Sequence, residues 1–239
     1  MYSIKEIIKK MIYRQKYSSD TFIKFLRKKG VQIGKNCTIY NPRGTNIDYQ
    51  NPHALFIGNY VRIADGVRIL THDYSLSVIA GVTGQILGSV EPVIIGNNVF
   101  IGMNAIILNN VNIGNNVIIG AGSVVTHDCE DNYVYAGNPA RKICSVDELF
   151  EKRKKNEKQR AKRIAELYYY STRKEPNKDI FREYLMMFSD SNNGLPPELD
   201  KLMKDSGDYK KCLDYYRSHK PEFEDFDAFL KWCKLKDLK

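Results

Sequence analysis

Between Val93 and Val125 the chain returns to the same residue types every six positions. Ile95, Ile101, Ile107, Ile113, Ile119 and Val125 hold one place in the unit. Val93, Val99, Ala105, Val111, Val117 and Ser123 hold the place two residues earlier. Gly96, Gly102, Gly114 and Gly120 follow four of the six anchors, so the unit reads V-x-I-G-N-N. V-x-I turns both apolar side chains to one face of a short strand. G-N-N is turn chemistry, because Gly and Asn accept positive φ. So short a strand, with a turn in every unit, cannot build a hairpin sheet. It predicts a parallel β-helix, each strand stacked on its copy one coil away. A heptad helix is excluded by the period and by the Gly-Asn-Asn breaks.

The same frame appears earlier. Ile33, Ile39, Ile57, Ile63 and Ile69 follow Val31, Cys37, Leu55, Val61 and Val67 by two places. The frame skips Thr45 and Asn51, so residues 41–53 are expected to decorate a coil as a loop. Ile69 and Ile95 are 26 residues apart, four hexads plus two. That mismatch predicts a loop, residues 71–92, pushed out of the coil.

Charge divides the chain. Residues 1–30 carry nine Lys/Arg against two Asp/Glu, residues 31–145 six against seven, and residues 146–239 twenty-two against nineteen. The repeat is nearly neutral and the basicity lies in its flanks. No zinc finger, helix-turn-helix or aromatic-basic platform is visible, so nucleic acid is not an expected partner. Five cysteines without a paired C-x-x-C set read as reduced thiols in a cytoplasmic protein. The N-terminus is too charged for a signal peptide, and no apolar run reaches the roughly 20 residues of a membrane span.

Three segments follow. Residues 1–30 form an N-terminal amphipathic helical segment. Within residues 2–15, Ile4, Ile7, Ile8, Met11 and Ile12 share a stripe, with Lys5, Lys9, Lys10 and Arg14 on or near the other face. That stripe is expected to cover an open end of the coil, and a helix lying on a membrane surface is the alternative. Residues 31–145 form the β-helix. Residues 146–239 form an α-helical C-terminal region, with helices over 147–170, 177–188, 197–205, 208–218 and 223–236. Its basic run at 152–163 reads as a solvated face.

Chemistry is expected where the inserted loop leaves the coil, at Thr71-His72-Asp73-Tyr74-Ser75. His72 stands at a strand end facing the loop. Histidine is the side chain whose charge changes near neutral pH, which suits it to take a proton from a hydroxyl. Position alone leaves a turn residue as an equal alternative. No metal constellation is apparent: His72 and His127 are 55 residues apart, and no close His pair occurs. Cys129, between Asp128 and Glu130, is expected to have a raised thiol pKa and no nucleophilic role.

These stretches together resemble the hexapeptide-repeat acyltransferases. The resemblance covers residues 55–143 and is carried by I-L-T-H-D-Y-S at 69–75, I-G-N-N-V-F-I-G-M-N-A-I-I-L at 95–108, I-G-N-N-V-I-I-G-A-G-S-V-V-T at 113–126 and A-G-N-P-A-R-K-I at 136–143. It is most similar to the branch that O-acetylates sugars and polysaccharides. The resemblance implies a mainly β fold, a left-handed parallel β-helix with three hexads to a coil, against the usual crossover hand. It implies a homotrimer with acetyl-CoA between subunits, no metal, and a loop at 71–92 that helps form the acceptor pocket, including Tyr74 and Ser75. His72 matches the general base, with Asp73 as a candidate for orienting it. A solvated Asp73, or one bonded to its own turn, is an equal alternative. Backbone N–H groups around Met103, Asn104, Ala105, Ala121, Gly122 and Ser123 match segments lining pantetheine. Asn138, Pro139 and Ala140 match the turn at the adenine end. Arg141 and Lys142 match phosphate partners, the alternative being a basic start to the tail. Phe100 stands where many relatives carry Trp, and His127 where Lys is common, so an indole N–H is not available and one phosphate contact is expected to be weaker.

The expected activity is acetyl-CoA-dependent O-acetylation of a saccharide, in capsule, exopolysaccharide or lipopolysaccharide modification, by direct transfer with His72 as base. The expected setting is cytoplasmic, with peripheral contact at the inner membrane face. The alternatives are N-acetylation of an amino-sugar nucleotide, acetylation of an antibiotic, or a trimeric scaffold that binds a membrane or a glycosyltransferase.

Overall fold

The computed structural model describes residues 4–235, with side chains from Ile8 onward. It divides into two compact units, residues 1–149 and 150–239. Sequence positions 1–3 and 236–239, and the side chains of Ile4, Lys5 and Ile7, lie outside the described residues.

The first unit opens with helices α1 (Ile4–Tyr13) and α2 (Ser19–Lys29). Strands then follow the hexads: β1 (Gln32–Ile33), β2 (Thr38–Ile39), β3 (Asn46–Ile47), β4 (Leu55–Ile57), β5 (Arg62–Ile63) and β6 (Arg68–Ile69). Helix α3 (Leu76–Thr83) interrupts them. The strands resume as β7 (Val93–Ile95), β8 (Phe100–Ile101), β9 (Ile106–Ile107), β10 (Val111–Ile113), β11 (Ile118–Ile119) and β12 (Val124–Val125). A hairpin of β13 (Tyr133–Gly137) and β14 (Ala140–Ser145) ends the run.

Every third strand stacks on the last, giving a triangular parallel β-helix. Its three sheets run β1-β4-β7-β10, β2-β5-β8-β11-β13-β14 and β3-β6-β9-β12, parallel throughout except the antiparallel β13–β14 hairpin. Val93 pairs with Val111 and Phe100 with Ile118, so one coil takes 18 residues, three hexads. The V and I positions fill the interior: Val61, Ile69, Val93, Ile101, Ala105, Ile107, Val117, Ile119 and Val125 are all buried.

The turns explain the rest of the unit. Asn98 and Asn116 have φ of 56° and 55°, the left-handed corner that Asn tolerates. Their neighbours form a ladder along one edge. The Asn59 amide N–H donates to Asn97 Oδ1 at 2.8 Å, the Asn97 N–H to Asn115 Oδ1 at 2.9 Å, and the Asn115 N–H to Asp131 Oδ1 at 2.8 Å. The glycine preceding the ladder residue is required by crowding. A Cβ on Gly96 would lie 2.6 Å from the Gly114 carbonyl oxygen of the next coil.

Two expectations are corrected here. Residues 41–53 are not all loop. Thr45-x-Ile47 is a repeat unit displaced by a two-residue insertion, and β3 pairs with β6 as Asn46↔Arg68 and Ile47↔Ile69. Both Thr45 and Ile47 are buried. Among the described side chains, those of α2 and not those of α1 cover the end of the coil. Ser18 and Thr21 form a reciprocal capping box, Gly30 closes the helix at φ 106°, and Phe22, Ile23 and Leu26 enter the core. The described apolar face of α1 stays in solvent, with Ile8 48%, Met11 71% and Ile12 65% exposed.

The expected excursion at 71–92 is present between β6 and β7, and carries α3. Its base is closed by the Glu91 N–H donating to the Thr71 carbonyl at 2.9 Å. Asn109 Nδ2 donates to the Ser89 carbonyl at 2.8 Å and holds the returning strand to the next coil.

Helix α4 (Val146–Thr172) carries the chain into the second unit. There a 3-10 segment (Lys178–Phe188) stands where an α-helix is expected, kinked at Phe181. Helices α5 (Pro197–Ser206), α6 (Tyr209–Ser218) and α7 (Phe226–Cys233) follow. Ala161, Phe181, Leu185, Phe188, Met203, Tyr216 and Phe229 are among its core residues.

Candidate active site

His72 stands two residues beyond Leu70, where the chain leaves the coil. Its Nδ1 lies 2.6 Å from Asp48 Oδ2. Asp48 follows Ile47 directly, one coil away, and its own N–H donates to the Ile69 carbonyl at 2.9 Å. Displacement of the third repeat unit therefore places this carboxylate beside the histidine. The Thr71 hydroxyl also donates to Asp48 Oδ2, the Thr71 N–H does so at 3.2 Å, and the Gln50 N–H donates to Asp48 Oδ1 at 2.9 Å. Thr71 is fully buried, so both of its bonds to Asp48 are shielded from water. Burial raises the Asp48 pKa, but hydrogen bonds from Thr71, Gln50 and His72 outweigh it, and the carboxyl is held below the ordinary aspartate range.

An ionised carboxylate only accepts hydrogen bonds. The proton of a neutral His72 is therefore assigned to Nδ1 by its partner, and Nε2 keeps its lone pair. The imidazole is partly open to solvent, 28% against 7% for Asp48. An imidazole so held has one tautomer favoured and its second nitrogen left as a hydrogen-bond acceptor.

Asp73 does not make that contact. Its Oδ1 accepts from the Ser75 N–H at 2.7 Å, an Asx turn within the loop, and its carboxyl is fully exposed. Hydrogen bonding to Ser75 holds its pKa down. Of the expected acceptor-loop residues, Tyr74 is 75% exposed and Ser75 precedes α3.

The expected coenzyme residues separate into outward and inward sets. Phe100 and Met103 project outward, 42% and 52% exposed, and Ala121 and Gly122 lie at an exposed corner. Ala105 and Ser123 point inward and are fully buried. Ser123 Oγ accepts from the Gly137 N–H at 3.2 Å and braces the hairpin. Three of the six amides expected to line a ligand are spent on backbone bonds of the coil itself. Asn104 N–H donates to the Asp65 carbonyl, Ala105 N–H to Gly102 and Gly122 N–H to Met103. The physical reason is the stack itself, whose corner amides close bonds to the neighbouring coil, as at Asn104 and Gly122, or within the turn, as at Ala105.

At the hairpin, Asn138 and Pro139 form the turn through a cis peptide, and Ala140 is buried beneath it. Arg141 is exposed, with Nη1 donating to the Ala140 carbonyl at 3.2 Å. Lys142 already has partners: Glu130 Oε2 at 2.7 Å and the Tyr133 ring at 3.9 Å. Hydrogen bonding to Glu130 raises its pKa. Of the two cations expected to meet phosphates, Arg141 is the better disposed.

His127 Nδ1 lies 2.7 Å from Thr126 Oγ1. Burial first, and Asp128 second, push the Cys129 thiol up to about 12, so it is no nucleophile near neutral pH. Among the described residues no three His, Cys, Asp or Glu side chains gather as a metal site. No described helix is long and apolar enough to cross a membrane.

Residues 92–127 match the family described as bacterial transferase hexapeptide (six repeats). Protein CapG of Staphylococcus aureus is 43% identical over 122 residues, covering 51% of this chain and 70% of that protein. The 2,3,4,5-tetrahydropyridine-2,6-dicarboxylate N-acetyltransferase of Alkaliphilus metalliredigens is 51% identical over 72 residues, 30% of each chain. A hexapeptide-repeat acetyltransferase of Vibrio cholerae aligns over 59% of this chain and 89% of its own, at 21% identity and a TM-score of 0.45. The chain belongs to the bacterial hexapeptide-repeat transferases.

Proposed function

We propose that this protein is an acetyl-CoA-dependent O-acetyltransferase acting on a saccharide hydroxyl, in modification of a capsule, exopolysaccharide or lipopolysaccharide. The observation that carries the reading is the His72–Asp48 pair at the root of the inserted loop, its Nδ1 engaged by the carboxylate and its imidazole partly open to solvent. Acetyl-CoA supplies an activated acetyl thioester. His72 Nε2 takes the proton of the acceptor hydroxyl as its oxygen attacks the carbonyl carbon. Asp48 stabilises the imidazolium that forms, and the proton then passes to the departing thiolate. No acyl-enzyme is required, because base and carbonyl meet in one complex.

Phe100 and Met103 would flank the pantetheine arm on the outer surface, and Arg141 would meet phosphate. The coil is read as left-handed. The active unit is read as a homotrimer whose neighbouring subunits complete the acetyl-CoA groove. Support for assembly comes from the outward side chains of the middle coils, where Ile94, Phe100 and Met103 leave apolar surface exposed. Five free thiols fit a cytoplasmic setting.

N-acetylation of an amino-sugar nucleotide is the second reading; the Alkaliphilus relative, named as an N-acetyltransferase of a dicarboxylate, supports transfer to nitrogen but not that acceptor class. Incubation with acetyl-CoA and a panel of oligosaccharides, amino-sugar nucleotides and antibiotics, read by mass spectrometry, separates these readings by which acceptor gains one acetyl group. His72→Ala is expected to lower transfer by roughly 100-fold or more. Undiminished transfer in that variant removes the mechanism while keeping the enzyme. Absence of both transfer and acetyl-CoA binding would return the chain to the scaffold reading.

A further inference from the structure

The two N-terminal helices use their apolar faces differently. Phe22 and Leu26 of α2 are 1% and 0% exposed, while Met11 and Ile12 of α1 are 71% and 65% exposed. Helix α1 is nevertheless attached to the coil. The Arg43 guanidinium lies 4.4 Å from the Tyr13 ring centre at its C-terminal end, and two residues into the next turn Lys16 Nζ donates to the Thr45 carbonyl at 2.8 Å. The helix is therefore held at one end with Ile8, Met11 and Ile12, spaced three and four apart, facing solvent.

The surroundings of this stripe are cationic. By helical period Lys9 lies at its flank and Lys10 on the far side, and Arg14 follows the helix. Residues 1–30 carry nine basic groups against two acidic ones, whereas the coil that follows carries six against seven. Apolar residues on one face and cations around them are the two properties that hold a short helix at an anionic lipid–water interface. Neither is explained by the acetyl-transfer site, since every residue placed there lies at Asp48 or beyond.

We propose that α1 is a membrane-surface anchor that inserts Ile8, Met11 and Ile12 beneath the headgroups of an anionic leaflet while neighbouring Lys and Arg meet lipid phosphates. Charge complementarity selects the bilayer over a second copy of this chain, whose own N-terminal segment is equally basic. The inference stands apart from the acetyltransferase reading and survives its failure.

The test is co-sedimentation of the full chain with phosphatidylcholine vesicles, with and without phosphatidylglycerol. Binding is expected with the anionic vesicles alone and is expected to fall as salt rises. Met11→Glu with Ile12→Glu should weaken it by more than about tenfold. Lys9→Gln, at the flank of the inserted face, should weaken it by about fivefold. Met11→Glu with Ile12→Glu should leave the melting temperature unchanged, because the apolar side chains replaced are already largely in water. Failure of the wild-type chain to bind anionic vesicles overturns the proposal, as does binding indifferent to Met11→Glu/Ile12→Glu. A fall in oligomer mass in that variant, with vesicle binding intact, would assign the stripe to a second copy instead.

Discussion

The coil and the helical unit bury their apolar residues by different rules. In residues 1–149 the core is a column of Val and Ile, with larger aromatics toward its ends, as at Phe22 in the helix over one end and Tyr135 in the terminal hairpin. Each side chain touches its copies one coil away, so stability accumulates from similar neighbour contacts. In residues 150–239 the core is a cluster of large rings. Phe229 packs edge-on against Phe181 at 5.2 Å and tilted against Phe188 at 5.5 Å, with Phe223, Phe226 and Trp232 also in contact. A column distributes its stability, whereas a cluster concentrates it on a few side chains. Chemistry follows the distributed core: the coil carries the Asp48–His72 pair, and no proposed site residue lies beyond Lys142.

The largest effect expected from that contrast is in the cluster. Phe229→Ala should cost about 3–5 kcal/mol and lower the melting transition of the helical unit alone. Calorimetry on the full chain checks it, and a single transition that drops as a whole would show the units folding together. Next comes the pair at the coil's corner. Asp48→Asn leaves the shape but removes the anion that fixes the His72 tautomer, so transfer should fall on the order of 10- to 100-fold.

The same substitution has a signature in acid. Asp48 is held below the ordinary aspartate range, so its contribution to stability is complete above that range and is lost as pH falls through its folded value. Wild type should therefore lose stability below about pH 4 more steeply than Asp48→Asn, as read by denaturant unfolding across pH. The smallest effect belongs to the column. Asn97→Ala removes one rung between Asn59 and Asn115 and should cost about 1 kcal/mol, spread over the neighbouring coils.

The comparison also shows how much was legible from residues alone. Period six gave the strands, their parallel stacking and the excursion at 71–92, because each hexad is both a local turn signal and a core position, whereas three hexads to a coil came from the family resemblance alone. Where the period slipped by two, at Thr45 and Ile47, the frame was lost and Asp48 with it. The Thr-x-Ile spacing was the available signal, one register over. Ala105 and Ser123 stand at the inward place of the hexad, so their burial was readable, although family resemblance placed them against a ligand. Helix α2 had its signals too: Ser18 before the helix, Gly30 after it, and Phe22, Ile23 and Leu26 on one face. The competing stripe at Ile4–Ile12 drew the capping role away from it. In the helical unit the positions of the helices were legible. The 3-10 form of residues 178–188 was not, because its kink at Phe181 follows from packing.

The excursion at 71–92 leaves and rejoins the coil at almost one point, where Glu91 meets Thr71. A loop so closed makes little demand on its own length, since doubling a flexible loop costs only about 0.6 kcal/mol. Residues 73–90 can therefore lengthen, shorten or change composition without disturbing the register of a single strand. The loop proposed to meet the acceptor is free to vary, while the Asp48–His72 pair at its root is tied to the stack. Divergence in what is acylated can then proceed by exchanging this one segment, with the proton-handling apparatus inherited whole.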